Sequence, residues 1–544
     1  MMLKIKSGVF LLSAFILFVN TLPLCAVPKT AEGTRIAWDY ASQRIIAEEG
    51  GGYVRVICLQ DGTYLAVYES AGRALLRRSY DDGATWTDRQ IIVDSYYVNG
   101  VRVRAANPEI YQLSDGTLLF GVNYRPTKEE IESWSIAIAR SLDGGISWSA
   151  PQIIHRAEPR FCDGCWEPSF LEMPDGNVHV YFANEGPYTD SSEQEIACMI
   201  SRDSGCTWGE YRTVSFRAGH RDGMPVARIF NDEIVVAIED NAHGEFVPYT
   251  VRCSMRDAWK EPVHADSENR NYALIDSLHH TSTYGGAPYL LKLPNGDAAM
   301  SYQRSYCSGK WNLDNMEVVV GDKHARNFAH PSYPFDVPNG KTCMWNSICL
   351  LDEYTIGAVG SLNVGGFIPV FKKGHLIYGV RAQKNTVNEM PIFIGSKGPT
   401  QLRVGVARRA GRLLLKVDVT DADVIAGSDA VVVYVDSASR PQNCLYPGLI
   451  RLRVSNDGHA DLWKWLDGSW VEVGTAGLAV SSGTKSDGYE LNIEIPKSVT
   501  GGWNRHGIRL GMTLCESDSV KGEYEEDLVD MIRENPQTWL PVRM

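Results

Sequence analysis

The chain is predicted to be all-β, a six-bladed β-propeller followed by a β-sandwich. Three observations predict it: an eight-residue turn motif that occurs three times, a second tight turn that occurs six times in another phase, and the end of both periods near residue 380.

Residues 1–26 read as a signal peptide, with Lys4 and Lys6 ahead of an apolar run from Val9 to Val19 and Leu24-Cys25-Ala26 before Val27. Cleavage after Ala26 is expected, and with it a secreted or periplasmic protein; lipid attachment at Cys25 is the alternative. The apolar run is too short for a membrane span, and no later segment reads as one.

Residues 27–380 carry the repeats. Ser79-Tyr80-Asp81-Asp82-Gly83-Ala84-Thr85-Trp86 is followed by Ser141 to Trp148 and Ser201 to Trp208, the pattern Ser-x-Asp-x-Gly-x-(Thr/Ser)-Trp at nearly equal intervals. In such a turn Asp can accept from backbone amides, Gly supplies a positive φ, and Trp packs the loop on the sheet. The second motif centres on Asp61, Asp115, Asp175, Asp232, Asn295 and Asp352, again at a nearly constant step. Apolar runs flank each turn, so each reads as a hairpin, and six hairpins at this period read as six blades over about residues 35 to 375.

Residues 381–544 lose the period. Gln401 to Ala407, Leu413 to Val419, Ala430 to Asp436 and Tyr489 to Pro496 read as strands of a separate sandwich with no helix between them. Trp463, Trp465, Trp470 and Tyr446 suit either a sugar-stacking surface or cross-strand packing.

Composition narrows the function. The 544 residues are 44% hydrophobic and 22% charged, with a formal net charge of −13. No Lys/Arg cluster offers a basic face, so a nucleic-acid partner is not expected. There is no phosphate loop, nucleotide fingerprint or Ser-His-Asp order, and Cys162-x-x-Cys165 stands alone among 12 cysteines, suiting a local disulfide or buried thiols better than zinc. No cofactor and no metal are expected.

The candidate chemistry lies in two glutamates set in apolar, strand-like runs, Cys165-Trp166-Glu167-Pro168 and Val236-Ala237-Ile238-Glu239-Asp240. Residues equally far from a hairpin turn share a height on the sheet. Glu167 stands eight before Asp175 and Glu239 seven after Asp232, so both fall at the open ends of adjacent hairpins. The same count brings Glu69, Asn107, Asn123, Asp240, Gln303, Trp345 and Asn346 to that layer, with Trp166 and Tyr284 beside it. Amide and carboxylate groups for hydroxyls, aromatic faces for sugar rings and two carboxylates for bond cleavage make an oligosaccharide or polysaccharide the expected partner. His243 and His279-His280, in loops flanking inner strands, are candidate contacts.

The three Asp boxes resemble those of sialidase-type, or BNR-repeat, propellers. More narrowly, Cys165-Trp166-Glu167-Pro168, Asp222-Gly223-Met224-Pro225-Val226-Ala227-Arg228, Gly285-Gly286-Ala287-Pro288, Ser301-Tyr302-Gln303 and Trp345-Asn346-Ser347 resemble family 93 glycoside hydrolases. That resemblance implies a retaining exo-α-1,5-L-arabinanase, with Glu167 as nucleophile and Glu239 as acid/base. A sialidase is the competing reading: its first-blade Arg-Ile-Pro corresponds here to Tyr53-Val54-Arg55, with Arg55 present and the proline absent, and Arg104, Arg228 and Arg304 are further candidates for an arginine clamp. A non-catalytic glycan-binding propeller is the third. The C-terminal segment, 381–544, is similar to modules related to family 9 carbohydrate-binding modules through Lys416-Val417-Asp418-Val419 and Gly488-Tyr489-Glu490.

Overall fold

The structure, a computed structural model, describes residues 33–273, 284–305, 315–338, 340–438, 440–503, 507–518 and 522–544. The expected leader with Cys25, and His279-His280, lie outside them.

Six antiparallel sheets form the blades, and the six predicted turns each join an inner strand to its second strand. Blade three shows the plan, with Cys165–Glu172, Val178–Asn184, Glu195–Ser201 and Gly209–Ser215 paired in chain order. Blade six is completed from the other end of the chain. Its strands Cys343–Leu350, Thr355–Asn363 and Phe367–Ile377 take Arg35–Trp38 as the outer strand, with Arg35 opposite Ile377 and Trp38 opposite Gly374. A methyl at Gly374 would meet the Trp38 ring at 2.7 Å, so glycine is what lets that strand dock. This closure is long-range and left no mark in the repeat pattern.

The Asp boxes join third to fourth strands at the end where the tight turns lie. In the third box Thr207 N donates to Asp203 Oδ1 at 2.8 Å, Thr207 Oγ1 to Oδ2 at 2.6 Å, and Gly205 N to Ser201 Oγ at 2.8 Å. Gly83, Gly145 and Gly205 all take positive φ. Trp86 meets Phe371 of blade six edge to face at 5.9 Å, and Trp208 meets Phe170 at 6.3 Å.

The remaining strands form an eight-stranded and a six-stranded sheet over one shared core that includes Val404, Leu415, Val417, Val433, Leu452 and Ile493. Ala37 and Ile377 of blade six join that core, and Tyr40 N donates to Gly395 O at 2.9 Å across the junction. Trp465 and Trp470 meet edge to face at 5.4 Å, Trp470 leans on Tyr434, and Arg451 covers the Trp463 ring at 4.4 Å. Trp465, Trp470 and Tyr446 pack against the core, the cross-strand use rather than an open stacking platform. Cys162 and Cys165 are both free thiols, the second buried, so no local disulfide forms.

Candidate active site

Every inner strand breaks its ladder at the same height. Register shifts fall between Gly52 and Arg55, Ala106 and Glu109, Trp166 and Ser169, Gly223 and Val226, Gly286 and Tyr289, and Met344 and Ser347. Within each bulge one non-glycine residue has positive φ: Tyr53, Asn107, Glu167, Met224, Ala287 and Trp345. Such a conformation costs on the order of 1 kcal/mol or more per side chain, and bulges of this kind re-aim side chains. Here they turn six residues toward the axis. Tyr53, Met224 and Ala287 pack together with Trp345 and close the channel, so the open end is a funnel with a floor.

Second strands hold this ring in place. Glu69 Oε2 accepts from Asn107 N at 2.7 Å, Glu239 Oε2 from Ala287 N at 2.8 Å, Gln303 Oε1 from Trp345 N at 2.8 Å, and Ser361 Oγ from Tyr53 N at 3.0 Å. In blade three that position is Ala183, which has no acceptor to offer. The Met224 N–H instead bonds the Glu167 carboxylate itself.

Glu167 and Glu239 are both half-buried and electrostatically coupled. Glu239 is raised to about 7, by burial first and by the charge of Glu167 second, with the Ala287 amide and Arg221 opposing both. Burial raises Glu167 too, but Arg125, Arg221 and Arg55 pull it back toward the ionised form. Two glycines clear space for Glu239: a methyl at Gly223 would lie 2.9 Å from Oε1, and one at Gly286 would lie 2.8 Å from Oε2. The Tyr284 hydroxyl also rests over Gly286 and accepts from Gln303 Nε2 at 2.7 Å.

Several predicted contacts serve the scaffold instead. Asp240 is fully buried and paired with Arg270 at 2.7 Å and Arg217 at 2.9 Å; being next to Glu239 on a strand, it points to the opposite face. Asn123 is buried, donating to Cys165 O at 2.7 Å and accepting from Arg125 at 2.5 Å. Trp166 is buried with its indole N–H on Glu185 at 2.9 Å, while Arg125 lies 4.8 Å from its ring centre and covers that face. Arg55 lies under the floor, bonded to Glu109 at 3.2 Å and to Trp345 O at 3.0 Å, with Tyr53 over its guanidinium. Asn346 is buried beside it. Glu69 and Trp345 line the funnel, the latter against Phe367 at 4.9 Å, while Asn107 and Gln303 are buried. His243 bonds Tyr249 at 3.1 Å away from the ring, and Arg304 is tied to Glu317.

Sequence reasoning missed Glu185 and Arg221. Glu185 is buried, pushed up to about 7, ion-paired with Arg221 and bonded by Trp166. It missed Tyr53, Met224 and Ala287 as well, although each stands eight before its turn as Glu167 does; their apolar or aromatic character hid them. Among the described residues, only Asp421, Asp429 and Glu516, buried in the sandwich, group three acidic side chains within metal-binding distance of one another.

The fold and site together define a β-propeller with a paired-carboxylate funnel. No protein-family model matches the chain, and no curated protein matches it. Among solved structures, it is similar to a protein of unknown function from Dyadobacter fermentans, with 16% identity, 63% of this chain and 99% of that one covered, and a TM-score of 0.49. It is also similar to the Penicillium chrysogenum α-L-arabinanase complexed with arabinobiose, at 20% identity, 64% and 98% coverage and a TM-score of 0.46. A Hadza microbial sialidase gives 13% identity, 61% and 66% coverage and a TM-score of 0.43.

Proposed function

We propose that the protein is a secreted, exo-acting glycoside hydrolase that works with retention, on a glycan such as α-1,5-arabinan. The observation that carries this reading is the unequal setting of two coupled carboxyls. A group pushed to about 7 keeps its proton near neutral pH and suits a general acid, whereas Glu167, raised by burial but drawn back by the charges of Arg125, Arg221 and Arg55, raises Glu239 in turn and suits the nucleophile. Glu167 would attack the anomeric carbon while Glu239 protonates the leaving oxygen, and Glu239 would then take a proton from the water that releases the sugar from Glu167. A funnel with a closed floor accepts a chain end rather than a threaded polymer, which supports exo action. Arg55, held below the floor by Glu109 and backbone carbonyls, does not favour the sialidase reading.

The test is sugar release from linear α-1,5-arabino-oligosaccharides and from sialyl-lactose, with the anomer of the first product followed by NMR. Wild type is expected to release the retained anomer from the arabino-oligosaccharides, and Glu167→Gln and Glu239→Gln to lose about 10³-fold or more in kcat with an unchanged circular dichroism spectrum. Binding without any turnover by wild type would make the protein a glycan-binding propeller instead.

A further inference from the structure

One wall of the funnel carries more positive charge than the two-carboxylate reaction uses. A cavity of about 560 Å³ opens between blades one, two and six, lined by Glu69, Arg102, Arg104, Arg125, Trp345 and Phe367 among others. All three arginines come from blade two. Arg102 and Arg104 alternate onto one face of the inner strand Val101–Gln112, and Arg104 stands directly opposite Arg125 on the second strand Leu118–Pro126. Like charges paired across a ladder are destabilising, so this arrangement works against the fold at that point.

Apart from the pull of Arg125 on Glu167, no carboxylate among the described residues is ion-paired with these arginines. Arg104 is exposed and makes no hydrogen bond or ion pair among them. Arg102 donates to Ala71 O and Ser95 Oγ, and Arg125 to the Asn123 amide oxygen, all uncharged acceptors. Of the acidic groups in the wall, Glu49 is ion-paired with Arg77 at 2.8 Å, which leaves Glu69, bonded by the Asn107 amide, as one negative charge beside three arginines. The wall therefore keeps a net positive face, with the half-exposed Trp345 ring beside it as a platform for a sugar. Arg125 connects it to the reacting pair, since its charge is the strongest acting on Glu167.

We propose that this wall is a subsite for an anionic substituent of the glycan, a uronate carboxylate or a sulfate ester on a residue next to the one being cleaved. Guanidinium forks match both oxyanions, and charge-assisted hydrogen bonds to them are about twice as strong as neutral ones. The proposal rests on the glycan reading above and adds the substrate class to it.

Calorimetry on the full chain carrying Glu167→Gln, which holds sugar without turning it over, tests it with three probes: α-1,5-arabinotriose, the same trisaccharide bearing one sulfate ester, and the same bearing one glucuronic acid. At least one anionic probe is expected to bind about tenfold tighter than the neutral one, with the ratio falling as salt is raised. Which one does so separates sulfate from carboxylate. Adding Arg104→Ala, or Arg102→Gln as a second variant, is expected to bring the ratio close to one without lowering Tm. Equal affinity for all three probes, no binding of any, or a preference that survives both substitutions would overturn the subsite. Hydrolysis of arabinotriose by wild type with no charge preference sinks this proposal alone; an anionic preference without hydrolysis of any probe by wild type sinks the enzyme reading alone.

Discussion

The two ends of the same hairpins treat carboxylates in opposite ways. At the Asp-box end, Asp81, Asp143 and Asp203 sit in water and accept from a neighbouring hydroxyl and a backbone amide, which hold each of them down to about 2. At the funnel end, Glu239 and Glu185 are pushed up to about 7 by burial. Backbone strain divides less sharply. Each Asp box places a glycine at positive φ, but Asp82 and Ser204 lie there too, whereas at the funnel end all six residues held in that region carry a side chain. One end is built to be satisfied, and the other holds unfavourable conformations and charges against the rest of the fold. A polar group kept in such a state is what proton transfer requires.

The contrast can be broken most strongly at the glycines under Glu239. Gly286→Ala would set a methyl 2.8 Å from Glu239 Oε2 and closer still to the Tyr284 hydroxyl. A loss of about 10²-fold in kcat/KM on arabino-oligosaccharides is expected, with circular dichroism unchanged, because small displacements of reacting groups are costly. Full activity in Gly286→Ala would show that the placement of Glu239 is not critical.

A smaller effect should appear in stability. The Glu239 carboxyl has a folded pKa raised from 4.5 to about 7, so the folded chain holds a proton that the unfolded chain releases between those values. Its contribution is complete below about 4.5 and is lost as pH rises toward 7. Glu239→Gln, which cannot ionise, should therefore gain on the order of 2 kcal/mol over wild type between pH 5 and pH 8, seen as a widening Tm difference. The Asp boxes should do the reverse, since their depressed carboxyls stabilise above about 3.8 and lose that contribution as pH falls toward 2.

The smallest effect is expected for Asp203→Ala. It removes a turn acceptor at the far end, so Tm should fall by a few degrees at pH 7 while kcat stays within about twofold of wild type. A large loss of activity there would contradict the separation of the two ends.

How much of this the sequence carried depended on distance along the chain. The turn period placed Glu167, Glu239, Glu69, Asn107, Gln303 and Trp345 in one layer, because a hairpin fixes height by counting from its turn. Direction was harder to read. Asp240 shares the height of Glu239 but points away by strand alternation, and Trp166 and Asn123 are drawn into the packing around Arg125 and Glu185. The bulges that aim Glu167 inward have no residue signature, since Tyr, Asn, Glu, Met, Ala and Trp all occupy the same position. Closure of blade six pairs Arg35–Trp38 with the strand that ends at Ile377, the two extremes of the propeller sequence, beyond the reach of any local pattern.

The Glu239 carboxyl is raised to about 7 in part by the charge of Glu167. A carbon-13 NMR titration of the glutamate side chains, in wild type and in Glu167→Gln, reads it without any substrate. A Glu239 midpoint near 7 is expected in wild type, falling when the charge of Glu167 is removed. A midpoint near the ordinary 4.5, or one that Glu167→Gln leaves unmoved, would contradict it.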